Sequence, residues 1–189
     1  TGHKYTAQSG EGAFYGPKID AFVPDAIGRE WQLGTVQLDF SLPDRFDMEY
    51  TAENGNRDRP VVIHRAMLGS LERFLGVLIE HLSGAFPMWL SPVQAVIVPI
   101  ADRHNEFCFE VGKRISEAGF RVDVNDSNDR MNAKIRQAQL QKVPYMLVAG
   151  DREVESKSLS VRTRSGDNLE PMSIDQVIAR FIKQVADRS

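Results

Sequence analysis

The sequence predicts an α/β protein in two parts: an antiparallel β-sheet with one helix over residues 1–91, and a mixed-sheet α/β domain over residues 92–189. In the first part, strand-like segments rich in β-branched and aromatic residues precede a single helical stripe. In the second part, short apolar runs alternate with helical stripes. Residues 84–92 (GAFPMWLSP) contain two prolines and a glycine directly after a helical pattern, which is typical of a domain boundary.

The first part begins with two predicted strands, 19–23 and 31–40, on either side of the turn-rich segment 24–28. A connection this short joins antiparallel neighbours. A polar stretch, 41–59, and a third short strand, 61–63, follow. A helix is predicted next, because apolar residues recur at spacings of three and four. These residues are Leu68, Leu71, Leu75, Leu78, Ile79 and Leu82.

The second part contains apolar runs at 93–100, 120–124 and 143–149, with helical patterns between them. This βαβαβ order predicts parallel strands joined by right-handed crossovers. A further strand is predicted over 159–164, and a capping box at Ser173 predicts the start of the last helix. The helical patterns are the stripe Cys108, Val111, Ile115 and Ala118, the polar segment 131–141, and the stripe Ile174, Val177, Ile178, Phe181, Ile182 and Val185.

Composition favours a cytoplasmic protein. The chain has one cysteine, Cys108, which excludes an internal disulfide framework and is interpreted as core packing. No apolar run approaches the roughly 20 residues of a membrane helix. The net charge is −3, but residues 130–164 hold eight basic and three acidic residues, which could meet phosphates. Lys134, in this segment, is interpreted as a sequence-independent phosphate contact.

Polar residues beside structural breaks are the candidates for chemistry in the first part. Residues 10–18 place three glycines and a proline around Tyr15 and Lys18, so the backbone can approach a ligand; a plain tight turn is the alternative. Strict alternation puts Gln32 and Gln37 on opposite faces of their strand. A bulge at Gly34 would bring them together, and otherwise one face is simply open to solvent.

A possible anion site follows at the start of the predicted helix. Gly69 and Ser70 can leave N–H groups free for an anion, and Arg73 one turn later can fork onto phosphate oxygens. His64 lies just before them, but a lone histidine is more often structural than a metal ligand. The pattern suits a nucleoside triphosphate.

Six segments carry long and specific motifs: 12–20 (GAFYGPKID), 31–40 (WQLGTVQLDF), 63–74 (IHRAMLGSLERF), 143–148 (VPYMLV), 150–155 (GDREVE) and 161–164 (VRTR). In this order they resemble the signatures of threonyl-tRNA synthetases. The third is similar to motif 3 of class II synthetases. The resemblance covers roughly residues 11–189. It implies the end of a class II catalytic domain with its motif 3 helix, then an anticodon-binding domain with a five-stranded mixed sheet and three helices.

The resemblance also implies roles for individual residues. His64 matches one ligand of a catalytic zinc ion, whose other ligands, a Cys and a His, are expected upstream. The implied substrates and partners are threonine, ATP with Mg²⁺ and tRNA(Thr), with a homodimer as the intact enzyme and no membrane. The matched active-site positions are Arg73, Gln32, Gln37, Lys18 and Tyr15; those at the adenylate are Gly69, Ser70, Arg73 and Thr35; those at the anticodon are Asn128, Arg130, Glu153 and Arg162.

Two alternatives stay open at this point. A non-catalytic nucleic-acid-binding relative of class II synthetases keeps the anticodon-type domain, but it has little reason to retain His64, Arg73 and the two glutamines together. A prolyl- or glycyl-type synthetase shares the second fold but is not expected to carry this histidine. Motifs 1 and 2 are absent, so we expect these 189 residues to be a piece of a longer enzyme and inactive alone.

Overall fold

The computed structural model describes residues 4–188, which form two compact units; the first ends at His81 and the second begins at Leu82. Residues 1–3 and residue 189 belong to the predicted domains but lie outside the described residues. The division after residue 91 stays a prediction. No described helix is both long enough and apolar enough to cross a bilayer.

The first unit is built on a three-stranded antiparallel sheet, which confirms the predicted arrangement. Its elements are β1 (Lys18–Pro24), β2 (Glu30–Asp39), α1 (Ser41–Arg45), β3 (Tyr50–Thr51), β4 (Arg57–Asp58), β5 (Val62–Ala66) and α2 (Leu71–His81). The sheet order is β1-β2-β5, and β3 and β4 form a separate hairpin. The predicted polar stretch thus contains a short helix and a hairpin, both too short to give a periodic signal.

The turn between β1 and β2 is organised by the carboxylate of Asp25. It accepts hydrogen bonds from the backbone N–H groups of Ile27 and Arg29 at 3.0 and 2.8 Å. The Arg29 guanidinium and the Trp31 indole donate to its other oxygen at 2.6 and 2.9 Å. Burial raises the pKa of Asp25, but these bonds outweigh burial and hold it well below its usual range. The carboxylate therefore stays ionised and fixes the hairpin.

The helix α2 is shorter than its apolar pattern predicts, since Leu68 and Leu82 lie outside it. The left-handed backbone at Gly69, with φ of +62°, delays its start. None of its residues is buried, and the apolar residues Leu71, Leu75 and Ile79 are all exposed. The apolar stripe of α2 is therefore solvent-exposed within the first unit.

The second unit has a five-stranded mixed sheet, as predicted. Its elements are β6 (Ala95–Pro99), a 3₁₀ turn (Asp102–His104), α3 (Asn105–Glu117), β7 (Val122–Val124), α4 (Met131–Leu140), β8 (Tyr145–Ala149), α5 (Asp151–Ser156), β9 (Ser158–Thr163), β10 (Met172–Ser173) and α6 (Ile174–Ala186). The order is β10-β9-β8-β6-β7. β6 is parallel to β7 and β8, whereas β9 is antiparallel to β8.

Helices cover both faces of this sheet. One core contains buried residues of α3 and α6 together with Leu147, Val161 and other strand residues. The opposite core contains Ile135 and Ala138 of α4 with Val98, Met146 and Val148 among others. The three long helices match the prediction, but the six-residue α5 is an addition that it lacks.

Two local predictions about the second unit are confirmed. Ser173 and Gln176 form the reciprocal capping box of α6, with distances of 2.8 and 3.3 Å. Cys108 is fully buried in the core between α3 and the sheet. Burial raises the pKa of its thiol to about 11, although nearby Lys134 opposes the shift. The cysteine therefore remains a packing residue.

Candidate functional site

One face of the first sheet gathers the polar residues that the sequence singles out. In the ladder, Gln37 of β2 lies opposite Lys18 of β1 and His64 of β5, and Thr35 lies opposite Asp20. Residues that face each other across strands project to the same side. The intervening positions Ile19, Val36 and Ile63 project to the other side and are exposed. The sheet thus has a polar face and an apolar face.

A bulge brings the second glutamine onto the polar face. Gly34 pairs with Ala21 and Gln32 with Phe22, so Leu33 is an extra residue in β2. The extra residue reverses the alternation, and the Gln32 amide donates to Asp20 Oδ1 at 2.7 Å. The two glutamines therefore share a face because of a bulge, as the sequence requires. The extra residue of this bulge is Leu33, next to Gly34.

Asp20 is a residue of this face to which the sequence alone assigns no role. Its other oxygen pairs with Lys18 Nζ at 2.9 Å, so it holds both Lys18 and Gln32. The Lys18 ammonium lowers the pKa of Asp20 below its usual value. Beside it, the buried hydroxyl of Thr35 also lowers the pKa of Asp20 and makes no further hydrogen bond within residues 4–188. A hydroxyl both donates and accepts, so this group keeps capacity for a ligand on the polar face.

The glycine-rich loop before β1 places Tyr15 over the same face. The Tyr15 hydroxyl donates to Gln37 Oε1 at 2.9 Å, and its ring meets His64 edge-on at 6.1 Å between centroids. Gly16 lies against β2 so closely that a Cβ there would be 2.2 Å from the carbonyl oxygen of Leu38. Only glycine fits this approach, so the loop is more than a plain turn.

His64 has the surroundings of a metal-ligating histidine. Its Nε2 lies 2.9 Å from Asp39 Oδ2, and Asp39 is buried and also accepts from the N–H groups of Ser41 and Leu42. A carboxylate that fixes one ring nitrogen leaves the other, Nδ1, for a metal. No group of three metal-ligating side chains exists within residues 4–188. The pair of His64 and its orienting carboxylate fits the chemistry of a single zinc ligand.

The start of α2 adjoins β2 next to Gln32. The Arg73 guanidinium donates to the Gln32 carbonyl at 3.3 Å, and the Arg73 N–H donates to Ser70 Oγ at 3.2 Å. A Cβ on Gly69 would lie 3.3 Å from the same carbonyl. The predicted anion-binding residues Gly69, Ser70 and Arg73 are therefore brought close to the end of the polar face.

The predicted anticodon residues of the second unit fall into two places. Asn128 and Arg130 are exposed in the loop after β7, and the Arg130 carbonyl accepts from the first turn of α4. Glu153 follows the carboxyl end of β8, and Arg162 lies on β9 opposite Met146. The ends of parallel strands share one sheet edge, so Asn128, Arg130 and Glu153 lie along it. Within residues 4–188, no hydrogen bond joins the loop that carries Asn128 and Arg130 to Glu153 or Arg162.

Lys134 is not a surface residue, and its interpretation as a phosphate contact is wrong. Its side chain is 4% exposed, and its ammonium donates to the carbonyls of Pro99 and Asn125 at 3.4 and 3.0 Å. Pro99 is the last residue of β6 and Asn125 directly follows β7, so the ammonium caps the ends of two neighbouring strands. The lysine stem crosses the apolar core and the charge satisfies the strand ends.

We expect Lys134→Met to destabilise the second unit by about 2 kcal/mol, because two buried carbonyls lose their donor while the stem volume is kept. Chemical denaturation in a Trp31→Phe background checks this, since Trp89 then reports on the second unit alone. Arg136→Ala, on the exposed side of the same helix, is the control. Equal stabilities of the two variants would contradict this role of Lys134.

Two family models match the chain, one for each unit. Residues 3–82 match the tRNA synthetase class II core domain (G, H, P, S and T), and residues 94–184 match the anticodon binding domain. The polar face thus lies in a class II core segment, and Glu153 and Arg162 lie in an anticodon-binding domain. Together they define a class II aminoacyl-tRNA synthetase.

Curated relatives show which class II synthetases the chain is similar to. The chain is 49% identical to a threonine–tRNA ligase of Caldanaerobacter subterraneus subsp. tengcongensis and 52% identical to one of Alkalilimnicola ehrlichii; each match covers 98% of the chain and 29% of the relative. It therefore belongs to the threonyl-tRNA synthetase family, as the end of the class II core followed by the anticodon-binding domain. The chain spans about 29% of the length of these relatives.

The solved structures agree with this assignment. The RNA binding domain of threonyl-tRNA synthetase from Cryptosporidium parvum superposes with a TM-score of 0.83 at 42% identity, covering 93% of this chain and 44% of that one. A prolyl-tRNA synthetase of the same organism gives 0.70 at 25% identity, covering 94% and 38%. The fold is shared by both synthetases, whereas the higher identity is with the threonyl enzyme.

Proposed function

We propose that this chain acts as part of a threonine–tRNA ligase, which activates threonine with ATP to threonyl-adenylate and transfers it to tRNA(Thr). The observation that carries the proposal is the polar face, on which a bulge unites Gln32 with Gln37, Lys18 and His64. A non-catalytic binding module has no need of such a face. The dimer expected of the longer enzyme belongs to the same proposal.

The residues of the polar face are proposed to bind the two small substrates. Arg73 would fork onto the phosphates of ATP carried with Mg²⁺, while Gly69, Ser70 and Thr35 line the adenylate. The Thr35 hydroxyl supports this, because apart from its proximity to Asp20 it makes no hydrogen bond within residues 4–188. Tyr15, Lys18, Gln32 and Gln37 would contact threonine, the adenylate or the tRNA terminus.

His64 is proposed to be one ligand of a zinc ion whose remaining ligands come from other parts of the enzyme. Asp39 supports this role, since it fixes the imidazole orientation at 2.9 Å. Bound zinc would supply a Lewis-acid contact for the amino group and hydroxyl of threonine. Valine, which lacks the hydroxyl, would leave that contact unsatisfied.

The second unit is proposed to read the anticodon through Asn128, Arg130, Glu153 and Arg162. Anticodon bases are unpaired, so their hydrogen-bonding edges are accessible to side chains. A carboxylate accepts from the amino and imino groups of guanine, whereas Asn and Arg meet acceptors on bases and phosphates. The buried Arg162 Nε supports this, because it has no hydrogen-bond partner within residues 4–188.

We expect the whole chain to prefer the threonine anticodon about tenfold, as a ratio of affinities, and Glu153→Ala to abolish this preference. Its loss removes an acceptor for a base edge but no contact to phosphate. Fluorescence anisotropy with hairpins of the tRNA(Thr) anticodon arm, with and without a replaced second anticodon base, measures this. Glu155→Ala, an exposed glutamate on the same helix, is the control and should keep the preference.

Two outcomes would count against the proposed role of this unit. One is equal binding of the two hairpins by the unaltered chain. The other is an unchanged preference after Glu153→Ala.

A further inference from the structure

The carboxylate of Glu153 is held from two sides by neighbouring groups. Its Oε2 accepts from the Gly150 N–H at 2.9 Å, and its Oε1 accepts from the Ser160 hydroxyl at 2.8 Å. Burial raises the pKa of Glu153, but the bonds from Ser160 and Gly150, together with its own backbone N–H and the nearby Arg152, leave the pKa below its usual value. Each oxygen has two acceptor sites, so one on each oxygen remains free. Glu153 is therefore an ionised, oriented acceptor.

Ser160 is placed by the sheet to act on this carboxylate. It lies on β9 opposite Val148, and Arg162 lies two residues further along opposite Met146. Val148 and Met146 both belong to the core under α4, so Ser160 and Arg162 project to that same face. The hydroxyl, the carboxylate it holds and the arginine thus share one side of the sheet.

The bond from Gly150 alone does not orient the carboxylate. It reaches only three residues along the chain and closes the first turn of α5, as a glutamate does in many helices. The bond from Ser160 is different, because it comes from another strand and fixes the rotation of the carboxylate against the sheet. An acceptor with a fixed direction discriminates between base edges, whereas a freely rotating one adapts to several.

We propose that Ser160 is a positioning residue for anticodon recognition: its hydroxyl fixes the direction in which Glu153 accepts hydrogen bonds from a base. This inference rests on the proposed role of Glu153. Ser160 itself touches no base. It acts through the carboxylate, so its loss should weaken binding of the cognate RNA and not the binding of all RNAs alike.

The test uses the whole chain and the two anticodon-arm hairpins, one with the threonine anticodon and one with the second base replaced. Ser160→Ala should lower the preference about fivefold by weakening cognate binding, with binding of the altered hairpin unchanged. Ser160→Thr keeps the hydroxyl on a strand that tolerates β-branching, and it should restore the preference. Thermal denaturation of each variant confirms that the second unit remains folded.

A matched control exists two residues away on the same strand. The Ser158 hydroxyl bonds to Ser156 Oγ at 2.8 Å and makes no contact with Glu153 within hydrogen-bond distance. Ser158→Ala should therefore leave the preference unchanged. A loss of preference in Ser158→Ala as large as in Ser160→Ala would overturn the inference, because the effect would then come from the strand.

A double-mutant cycle separates this inference from the function on which it rests. In a Glu153→Gln background, adding Ser160→Ala should cause no further loss of preference. An independent further loss would overturn the positioning role. If Glu153→Ala relaxes the preference but Ser160→Ala does not, the inference alone fails. If the unaltered chain shows no preference, the proposed function and the inference fail together.

Discussion

Gly16→Ala is expected to destabilise the first unit by about 3 kcal/mol and to displace Tyr15 from Gln37. The added Cβ would stand 2.2 Å from the Leu38 carbonyl oxygen. That oxygen belongs to the backbone of the central strand, so it cannot move without breaking ladder hydrogen bonds. Denaturation in a Trp89→Phe background measures the effect, because Trp31 then reports on the first unit alone.

Gly12→Ala is the matched control in the same loop. A Cβ on Gly12 would meet its nearest neighbour, the Gly16 carbonyl oxygen, at 3.5 Å, which is ordinary contact. We expect Gly12→Ala to change stability by less than about 1 kcal/mol. If both variants unfold at the same denaturant concentration as the unaltered chain, the loop tolerates a Cβ at Gly16 and its approach to β2 does not require glycine.

His64→Ala, introduced into a threonine–tRNA ligase that carries this segment, should lower zinc affinity by at least about 100-fold. Outer partners of metal ligands typically contribute roughly 10–100-fold each, and a direct ligand contributes more. Zinc content by elemental analysis and threonine activation by pyrophosphate exchange should fall together. Asp39→Asn, which weakens the carboxylate that orients the imidazole, should give a smaller loss.

The control for this prediction is the exposed His81 at the end of α2. His81→Ala should retain full zinc content and activity. Full zinc stoichiometry in His64→Ala would refute the ligand role, whatever the activity. In that case the bond between His64 and Asp39 would serve only the fold.

The sequence predicts most of the second unit because its elements carry strong local signals. Buried strands such as 143–149 read as short apolar runs, and Ser173 with Gln176 marks a helix start that the structure reproduces. The six-residue α5 escapes prediction because it is shorter than two helical turns. The burial of Lys134 is not predicted for another reason. A count of charges assumes that lysines face solvent, and only the packed structure shows that this one does not.

The polar face of the first unit is predicted only in part. The sequence identifies Gln32 and Gln37, but it cannot decide whether they share a side, since that depends on one bulged residue. Asp20 ends the motif segment 12–20, but its role is missed because nothing in the letters shows which residues its carboxylate contacts. Its role as the partner of both Lys18 and Gln32 exists only in three dimensions.

The bulge at Leu33 lets two amides at an odd spacing share one side of the sheet. Gln32 and Gln37 are five positions apart, so strict alternation would place them on opposite faces, and the extra residue compensates for this. If the bulge were lost at unchanged length, Gln32 would turn toward the apolar face. If Leu33 were removed together with the bulge, the two glutamines would be four positions apart and would remain on the same face. A relative with a one-residue gap here can therefore keep the polar face, provided that the gap replaces the bulge.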